Sequence, residues 1–473
     1  MADRFAVGRG DRVAIAARNY PGWALAFWAT VKLGAVAVPL NAWWTGPELT
    51  YAIGHSRARV MFADHERLER LAPHLPELDL AGVVDVRAEL DDLVTAGKGQ
   101  AVPVAEVGPD DDVTILYTSG TTGRPKGAAG THRNICNFVW NGLYAQASGA
   151  RPATPPANPV QPVTLLTFPL FHVGGLQSHL VPYTFYGGKL VLMYKWNPDE
   201  AIDLIEREAV IAFSGVPTTA FSLLERAAER GVSLDSVAGM SSGATLVPPE
   251  LVRRIDSQFA GRVAPGNGYG LTETSGAMVF NAGAGYVARP DSVGRPISPV
   301  NEVRIVTEDG RDAAPGEVGE IWMKGPTVVR GYFDDPAATA AAFTDGWFHT
   351  GDLGRIDDDG LLFVVDRLKD VVIRGGENVY SAEVEAALFE HPDVADAAIV
   401  GVPHPALGEE VAAVVRVRNG GDVDEAGLAA HLRQRLAGFK VPTRWWLRTD
   451  ELPRNAAGKV LKRQLRDELA TRR

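Results

Sequence analysis

Short runs of apolar, β-branched residues alternate with segments of helical periodicity along the first part of the chain. Four of these runs predict buried strands, at residues 113–117, 163–168, 190–194 and 210–213. Apolar positions also recur every three or four residues over 198–208 and 219–229, which predicts amphipathic helices. This alternation of strand and helix indicates an α/β architecture with largely parallel sheets.

The most apolar stretch covers residues 23–40, and a lysine, a glycine and a proline interrupt it. It is therefore interpreted as a buried helix over 23–32 followed by a strand over 35–38, and no membrane span is expected.

Beyond residue 294 the pattern changes to short strands separated by turns. These strands are predicted at 302–306, 320–324, 355–356 and 361–365. They indicate an antiparallel meander that completes a large N-terminal domain. From residue 371, strands and helices predict a further compact α+β unit. The expected division is residues 1–366, a boundary segment at 367–370 and a C-terminal domain at 371–473.

Composition narrows the classes of protein. The 473 residues carry 47 Lys and Arg against 58 Asp and Glu, a formal net charge of −11. That balance argues against a protein whose whole surface binds nucleic acid or an anionic membrane. The single cysteine, Cys136, cannot form an intrachain disulfide and has no metal-ligand spacing around it. A reducing, cytoplasmic location is expected.

The strongest local signal is the segment 117–127, Tyr-Thr-Ser-Gly-Thr-Thr-Gly-Arg-Pro-Lys-Gly, directly after a predicted strand. Its glycines let backbone amides approach a ligand, its hydroxyls donate hydrogen bonds, and Lys126 supplies a cation. It is not a Walker A loop, because Pro125 precedes the lysine and Gly127 follows it. The combination predicts a loop that binds a polyphosphate.

This segment resembles the phosphate loop of the class I adenylate-forming superfamily, which contains acyl-CoA synthetases, peptide-synthetase adenylation domains and luciferases. Further motifs of that superfamily follow in order at 168–175, 241–246, 267–274, 346–352, 366–370, 375–380 and 458–459. The resemblance implies a large N-terminal domain of several subdomains, with parallel α/β sheets and a small β-barrel-like part. It also implies a small, mobile α+β C-terminal domain.

The resemblance implies an ATP and AMP site. Its residues are Thr118, Ser119, Gly120, Thr121, Thr122, Gly123, Lys126, Gly243, Ala244, Asn267, Tyr269, Gly270, Thr272, Asp352 and Arg367. Tyr269 offers a flat ring for a purine, and the Glu273 carboxylate is a hard oxygen ligand suited to Mg²⁺. Asp352 can accept hydrogen bonds from vicinal ribose hydroxyls, and Arg367 can donate to ribose or phosphate.

The candidate catalytic residues are Lys459, Glu273, Thr272 and His172. By resemblance, Lys459 contacts the acid's carboxylate and the α-phosphate, where attack of one anion on another requires a cation. The resemblance also makes Lys369 the hinge residue of 367–370 and places Gly375 and Gly376 on the path of the pantetheine arm. His172 has a core histidine as its alternative, and Lys440 is left open between a functional and a structural role.

A mostly small and apolar set of residues is expected to line the acyl pocket. This set is His172, Val173, Phe213, Val216, Gly243, Gly270, Gly276 and Met278. Such a lining suits a fatty or aromatic acid better than a polar amino acid.

These observations predict ATP- and Mg²⁺-dependent activation of a carboxylic acid to an acyl-adenylate, followed by thioester formation with coenzyme A. One alternative is transfer of the acyl group to a carrier protein. Another is a nucleotide-binding pseudoenzyme, because the resemblance implies several dozen residues before the segment 10–15 and nine precede it here. The expected partners are the acid and CoA, with no nucleic acid and with a homodimer as an open alternative to a monomer.

Overall fold

The computed structural model describes residues 1–101, 103, 105–118, 124–148, 161–418, 420–456 and 458–471. Within these residues the chain forms four β-sheets covered by helices. No helix in the described part of the chain has the length and apolarity needed to cross a membrane. Residues 146–162 are rich in proline and alanine, a composition that predicts an exposed loop, and they lie mostly outside the described residues.

The first sheet has six strands in the order β4–β3–β1–β2–β5–β6. Its strands are β1 (Arg12–Ala16), β2 (Val36–Pro39), β3 (Ala58–Ala63), β4 (Gly82–Asp85), β5 (Asp112–Thr118) and β6 (Lys126–Thr131). Its helices are α1 (Ala2–Phe5), α2 (Pro21–Lys32), α3 (Gly46–Ser56), α4 (His65–Leu71), α5 (Leu90–Ala96) and α6 (His132–Ala147). All neighbours are parallel except β5 and β6, which are antiparallel with Thr118 opposite Lys126.

The second sheet has seven strands in the order β13–β12–β11–β10–β9–β7–β8. Its strands are β7 (Val163–Leu166), β8 (Lys189–Leu192), β9 (Ala212–Gly215), β10 (Gly239–Gly243), β11 (Ala264–Leu271), β12 (Gly276–Ala282) and β13 (Arg295–Pro296). Its helices are α7 (Val173–Gly175), α8 (Val181–Phe185), α9 (Pro198–Glu208), α10 (Pro217–Arg230), α11 (Pro249–Gln258) and α12 (Gly283–Ala288), with a π-helical turn at Leu176–Leu180.

The prediction of largely parallel sheets is confirmed for the strands β7 to β11, and the other edge of the second sheet is antiparallel. There β12 and β13 are antiparallel to their neighbours. The physical reason is the connection length: a single short turn at Thr272–Thr274 joins β11 to β12, and a parallel pair needs a long crossover. The strand predicted at 210–213 also lies further along the chain, at Ala212–Gly215.

Two hydrophobic cores hold these sheets. The first joins one face of the first sheet to α2 and to the segment after β7, with Ile15, Trp23 and Leu176 fully buried. The second core lies between the second sheet and the helices α9, α10 and α11, which cover one of its faces. Phe213 and Leu223 are fully buried in this core. Because α9 and α10 are apolar on one side only, each can cover the sheet and face solvent.

The third sheet is antiparallel, which confirms the predicted meander. Its strands are β14 (Glu302–Val306), β15 (Gly319–Lys324), β16 (Phe343–Thr344), β17 (Trp347–Ile356) and β18 (Leu362–Arg367), and α13 spans Pro336–Ala342. The pairing of β17 with β18 places Asp352 directly opposite Arg367.

The fourth sheet begins after the segment 367–370 and forms a separate unit, here called the C-terminal unit. Its strands are β19 (Val372–Arg374), β20 (Glu377–Val379), β21 (Val394–His404), β22 (Gly408–Val417) and β23 (Arg444–Arg448). Its helices are α14 (Ser381–Phe389), α15 (Glu425–Arg433) and α16 (Lys462–Thr471). The first two helices share a buried core on one face, and α16 packs on the other face through Leu465 and Leu469.

Gly294 fixes the third sheet against the second. The Val293 amide donates to the Leu362 carbonyl, and the Leu362 amide donates to the Gly294 carbonyl, at 3.0 and 2.8 Å. Gly294 has φ +93°, and a Cβ there would lie 2.0 Å from the carbonyl oxygen of Phe280. This close approach positions β18, and with it Arg367.

We expect Gly294→Ala to lower the free energy of unfolding by about 2 kcal/mol or more, because backbone strain and a backbone clash add at this position. Urea unfolding followed by tryptophan fluorescence measures the change. The control is Gly310→Ala, where φ is +85° but no atom lies within 4 Å of the added Cβ. That variant should cost about 1–2 kcal/mol from strain alone. Equal losses in the two variants would contradict the proposed clash.

Candidate active site

A cleft of about 2480 Å³ lies between the second and third sheets on one side and the C-terminal unit on the other. Its walls come from the end of β11, from β17 and β18, from the segment 367–370 and from the start of α16. Several residues predicted from the sequence line it: Ala244, Asn267, Tyr269, Gly270, Asp352, Arg367, Lys369 and Lys459. The fold thus brings together residues as far apart in the sequence as Ala244 and Lys459.

Asp352 is the anchor of one wall. It is buried, it accepts a hydrogen bond from the Tyr269 hydroxyl at 2.9 Å, and its other oxygen lies 3.2 Å from Arg367 Nε. Burial and the neighbouring carboxylate raise the pKa of Tyr269 well above its usual value, so its hydroxyl stays protonated and donates. The wall therefore presents a fixed carboxylate, a guanidinium and an aromatic ring, which are groups that suit a nucleoside.

Lys459 approaches this wall from the C-terminal unit on a tight turn. The Asn455 amide donates to the Lys459 carbonyl at 2.8 Å, and the Lys459 amide donates to Asn455 Oδ1 at 3.0 Å. Gly458, the residue before it, lies so close to the N-terminal wall that a Cβ would be 2.9 Å from Val216 Cγ1. The turn is thus pressed against Val216 and carries the ammonium into the cleft.

The charge of Lys459 depends on these surroundings. Burial, together with the positive charge of Arg367, lowers the pKa of Lys459 to about 8. Asp352 and Glu273 act in the opposite direction and limit the fall. Lys459 is therefore a cation with a lowered pKa. It lines a cleft that can accommodate a negatively charged ligand.

Glu273 is buried in the turn that follows β11, where Tyr332 donates a hydrogen bond to Oε1 at 2.8 Å. Burial raises the pKa of Glu273, so a cation placed beside it would favour the charged form. Lys126 Nζ lies 5.0 Å from the centre of the Tyr332 ring. Tyr332 was missed by the sequence analysis because it is 59 positions from Glu273 and belongs to no motif that marks it.

The predicted phosphate loop connects β5 to β6. Thr118 and Lys126 face each other at its base, and Thr118 Oγ1 lies 3.4 Å from the Lys126 carbonyl. The predicted residues Ser119, Gly120, Thr121, Thr122 and Gly123 lie outside the described residues.

His172 begins α7, and its Nδ1 accepts a hydrogen bond from the Gly174 amide at 3.2 Å. Burial, with a smaller effect of Lys459, lowers the pKa of His172 to about 4, so the imidazole is neutral at pH 7. His172 is not among the residues that line the cleft, and its role in the site stays a prediction. Val173 next to it is buried in the first core.

Two residues predicted to line the acyl pocket are placed elsewhere by the structure. Phe213 lies in the second core, with its ring centre 6.0 Å from that of Trp196, because the alternation of side chains along β9 turns it to the helix-covered face. Met278 is fully buried in the core between the second and third sheets. Both are corrections to the expected lining.

The predicted glycines mark close approaches between backbones. A Cβ on Gly270 would lie 2.0 Å from the Gly276 carbonyl, and one on Gly276 would lie 2.5 Å from the Phe138 ring. Gly243 ends β10 beside Gly268, and Thr272 begins the turn that holds Glu273. These residues shape the backbone around Tyr269.

The remaining predicted residues belong to the C-terminal side. Lys369 is exposed in the segment that leads from β18 to β19. Gly375 and Gly376 form the turn between β19 and β20, outside the lining of the cleft. Lys440 lies 2.7 Å from Glu383 within the C-terminal unit, and both residues line the cleft, so its role stays open.

Comparison with known proteins agrees with this geometry. Residues 3–333 match the family model of the AMP-binding enzymes, and residues 383–459 match that of the AMP-binding enzyme C-terminal domain. Feruloyl-CoA synthase from Amycolatopsis sp is 37% identical over 457 residues, which cover 97% of this chain and 88% of the relative. 2-Succinylbenzoate–CoA ligase from Geobacillus kaustophilus is 36% identical over 468 residues, covering 97% and 88%. ATP-bound MatB from Rhodopseudomonas palustris has a similar structure, with a TM-score of 0.88, 31% identity and coverage of 99% and 91%.

The chain therefore belongs to the AMP-binding enzyme family, and the resemblance derived from its motifs is confirmed. It is an AMP-forming acid–CoA ligase. ATP activates a carboxylic acid as an acyl-adenylate, and CoA then accepts the acyl group as a thioester.

We expect kcat/KM for acyl-adenylate formation to fall about tenfold per pH unit above a pKa near 8, because only protonated Lys459 supplies the charge. ATP–pyrophosphate exchange across pH 6–10, with an acid that supports turnover, measures this. In Lys459→Arg the guanidinium stays charged, so the alkaline fall should disappear even if the rate is lower. An unchanged alkaline fall in that variant would contradict the assignment.

Proposed function

We propose that the acid is apolar and carries an aromatic or other ring, with a fatty acid as the second candidate. The half-buried ring of Phe138 stands over Gly276, one of the positions expected to line the acyl pocket. A polar amino acid would need a charged partner for its amine, whereas this ring offers apolar contact. The names of the two relatives above, feruloyl-CoA synthase and 2-succinylbenzoate–CoA ligase, also refer to ring-bearing acids.

In the proposed first step, a carboxylate oxygen of the acid attacks the α-phosphorus of ATP. The bond to the β-phosphate oxygen breaks, and pyrophosphate leaves with its electron pair. Lys459 faces the charge that collects on the carboxylate and the α-phosphate, while Asp352 and Arg367 hold the ribose. An ammonium fixed in a dry cleft stabilises this charge more than it would in water.

Glu273 and Lys126 fit a nucleotide whose phosphates carry Mg²⁺. Mg²⁺ is usually held by one or two carboxylates together with phosphate oxygens and waters, and Glu273 is a buried carboxylate whose pKa is raised by burial. When bound, the ion would neutralise phosphate charge. Glu273 would act as its protein ligand, with Tyr332 holding the carboxylate in place.

The second proposed step is attack of the CoA thiol on the activated carbonyl, with AMP as the leaving group. We propose that the C-terminal unit, residues 371–473, rotates about 367–370 before this step, with Lys369 absorbing the backbone change. The turn at Gly375 and Gly376 lies outside the present cleft lining, and rotation would bring it to the path of the thiol.

The single observation that carries the proposal is the meeting of Lys459 with Asp352, Arg367 and Glu273. This proposal is supported by the pKa of Lys459, on which the charges of Arg367, Asp352 and Glu273 all act. Homodimer formation and a cytoplasmic location stay predictions from the sequence. Light scattering of the purified protein tests the first of these.

We expect Lys459→Ala to slow acyl-adenylate formation by at least about 100-fold, since it removes the cation at the reacting atoms. Thioester formation from synthetic acyl-adenylate and CoA should stay within about twofold, because rotation withdraws this lysine before the second step. Lys189→Ala, which removes a lysine paired with Glu208 outside the cleft lining, is the control and should not separate the two steps. Equal loss of both steps in Lys459→Ala would contradict the proposed role.

The acid class is tested by incubating the protein with ATP, Mg²⁺ and a panel of cinnamic, aryl-acetic, fatty and amino acids, with and without CoA. We expect AMP release to be fastest with ring-bearing acids and to depend on CoA. Turnover that is insensitive to CoA would favour transfer to a carrier protein. Absence of pyrophosphate release with every acid would favour a pseudoenzyme.

A further inference from the structure

The C-terminal unit also contacts the N-terminal part of the chain outside the catalytic turn. Arg418, just after β22, lies 2.5 Å from Glu225 of α10, and Glu390, at the end of α14, lies 3.8 Å from Arg253 of α11. The two pairs have opposite polarity, since the acid belongs to the N-terminal side in one and to the C-terminal unit in the other. We call these four residues the outer clasp.

Each half of the outer clasp is organised within its own part of the protein. Glu225 also lies 3.1 Å from Arg254, so its carboxylate bridges two guanidinium groups. Glu390 accepts a hydrogen bond from Arg435 Nε at 2.8 Å. Glu225 and Glu390 are thus already held by partners in their own part of the protein. Forming the outer clasp therefore restricts few additional side-chain rotamers, and the loss of side-chain entropy is small.

The outer clasp is far from the hinge. Strand β22 begins at Gly408, which pairs with Arg374 in the strand that follows the segment 367–370. Ten residues separate Gly408 from Arg418, and at roughly 3.3 Å per residue this corresponds to about 33 Å. A rotation of the C-terminal unit about 367–370 therefore moves Arg418 away from Glu225, and the clasp opens.

We propose that the outer clasp holds the C-terminal unit in the orientation that presents Lys459, so that Glu225 and Arg418 are positioning residues for acyl-adenylate formation. This inference rests on the domain rotation proposed above. The Glu225 and Arg418 side chains are 35% and 38% exposed, and an exposed ion pair contributes little free energy. A weak contact suits this role, because the same contact has to open in every turnover.

The first test measures the orientation itself and needs no substrate. Cys136 is exposed and is the only cysteine of the chain, and Ala430 is exposed on α15, so the variant Ala430→Cys provides one label on each side of the cleft. Pulsed electron paramagnetic resonance then gives the distribution of distances between two spin labels, in the full chain with and without Mg·ATP.

We expect Arg418→Ala and Glu225→Gln to lower the ratio of the clasped to the rotated population by about 1.5- to 5-fold, and Arg418→Glu to lower it further. Raising NaCl to 0.5 M should have the same effect on the parent protein and a smaller one on Arg418→Ala, because salt screens exposed charges. The matched control is Arg230→Ala, which removes a 2.7 Å pair with Asp203 inside the N-terminal part. An unchanged distance distribution in Arg418→Glu would overturn the proposal.

The second test separates positioning from a structural effect. The rate of acyl-adenylate formation should fall about 1.5- to 5-fold in Arg418→Ala, while thioester formation from synthetic acyl-adenylate and CoA should be unchanged or faster. A purely structural role would lower both rates together. A single distance population in the parent protein under every ligand condition would count against the rotation itself, and would thus be distinguished from failure of the clasp.

Discussion

The structure depends most on one placement, that of the Lys459 ammonium beside Asp352, Arg367 and Glu273. The charges of Asp352, Arg367 and Glu273 all act on the Lys459 ammonium, so this arrangement is sensitive to every charge added to it. Burial and Arg367 weaken the hold of Lys459 on its proton, and two carboxylates restore part of it. A nucleotide and an acid bring further negative charge, which favours the protonated lysine that the reaction needs.

The placement of Lys459 depends on how the C-terminal unit is positioned against the rest of the fold. Asp352 and Arg367 are fixed to each other by the pairing of β17 with β18, and Gly294 fixes that pair against the second sheet, which carries Tyr269. Lys459 belongs to a unit with two cores of its own, so that unit can move without unfolding. The C-terminal unit contacts the rest of the chain through small side chains and ion pairs. Examples are the contact of Gly458 with Val216 and the ion pair of Arg418 with Glu225. A rigid wall and a weakly held unit are what a two-step reaction at one site requires.

The sequence predicted the central α/β strands, helix α9, the antiparallel third sheet and the cleft residues, because each rests on local periodicity or on a motif. It failed for Phe213 and Met278, since a residue next to a motif can face either side of a strand and the sequence does not show which side is covered. Tyr332 and the outer clasp were also missed. Their contacts join residues 59 or more positions apart, and only the packed fold brings them together. The edge strand β12 was missed because the short turn at Thr272–Thr274 reverses the chain without any change in composition, and β13 was missed because it has two residues only.

Acid labelled with ¹⁸O in its carboxylate tests most directly whether this cleft joins the acid to the α-phosphorus of ATP. If the carboxylate oxygen attacks that atom, AMP released after thioester formation carries one ¹⁸O from the acid, and pyrophosphate carries none. Mass spectrometry of the two products measures this. Label in pyrophosphate or inorganic phosphate, or unlabelled AMP formed together with thioester, would contradict attack at the α-phosphorus.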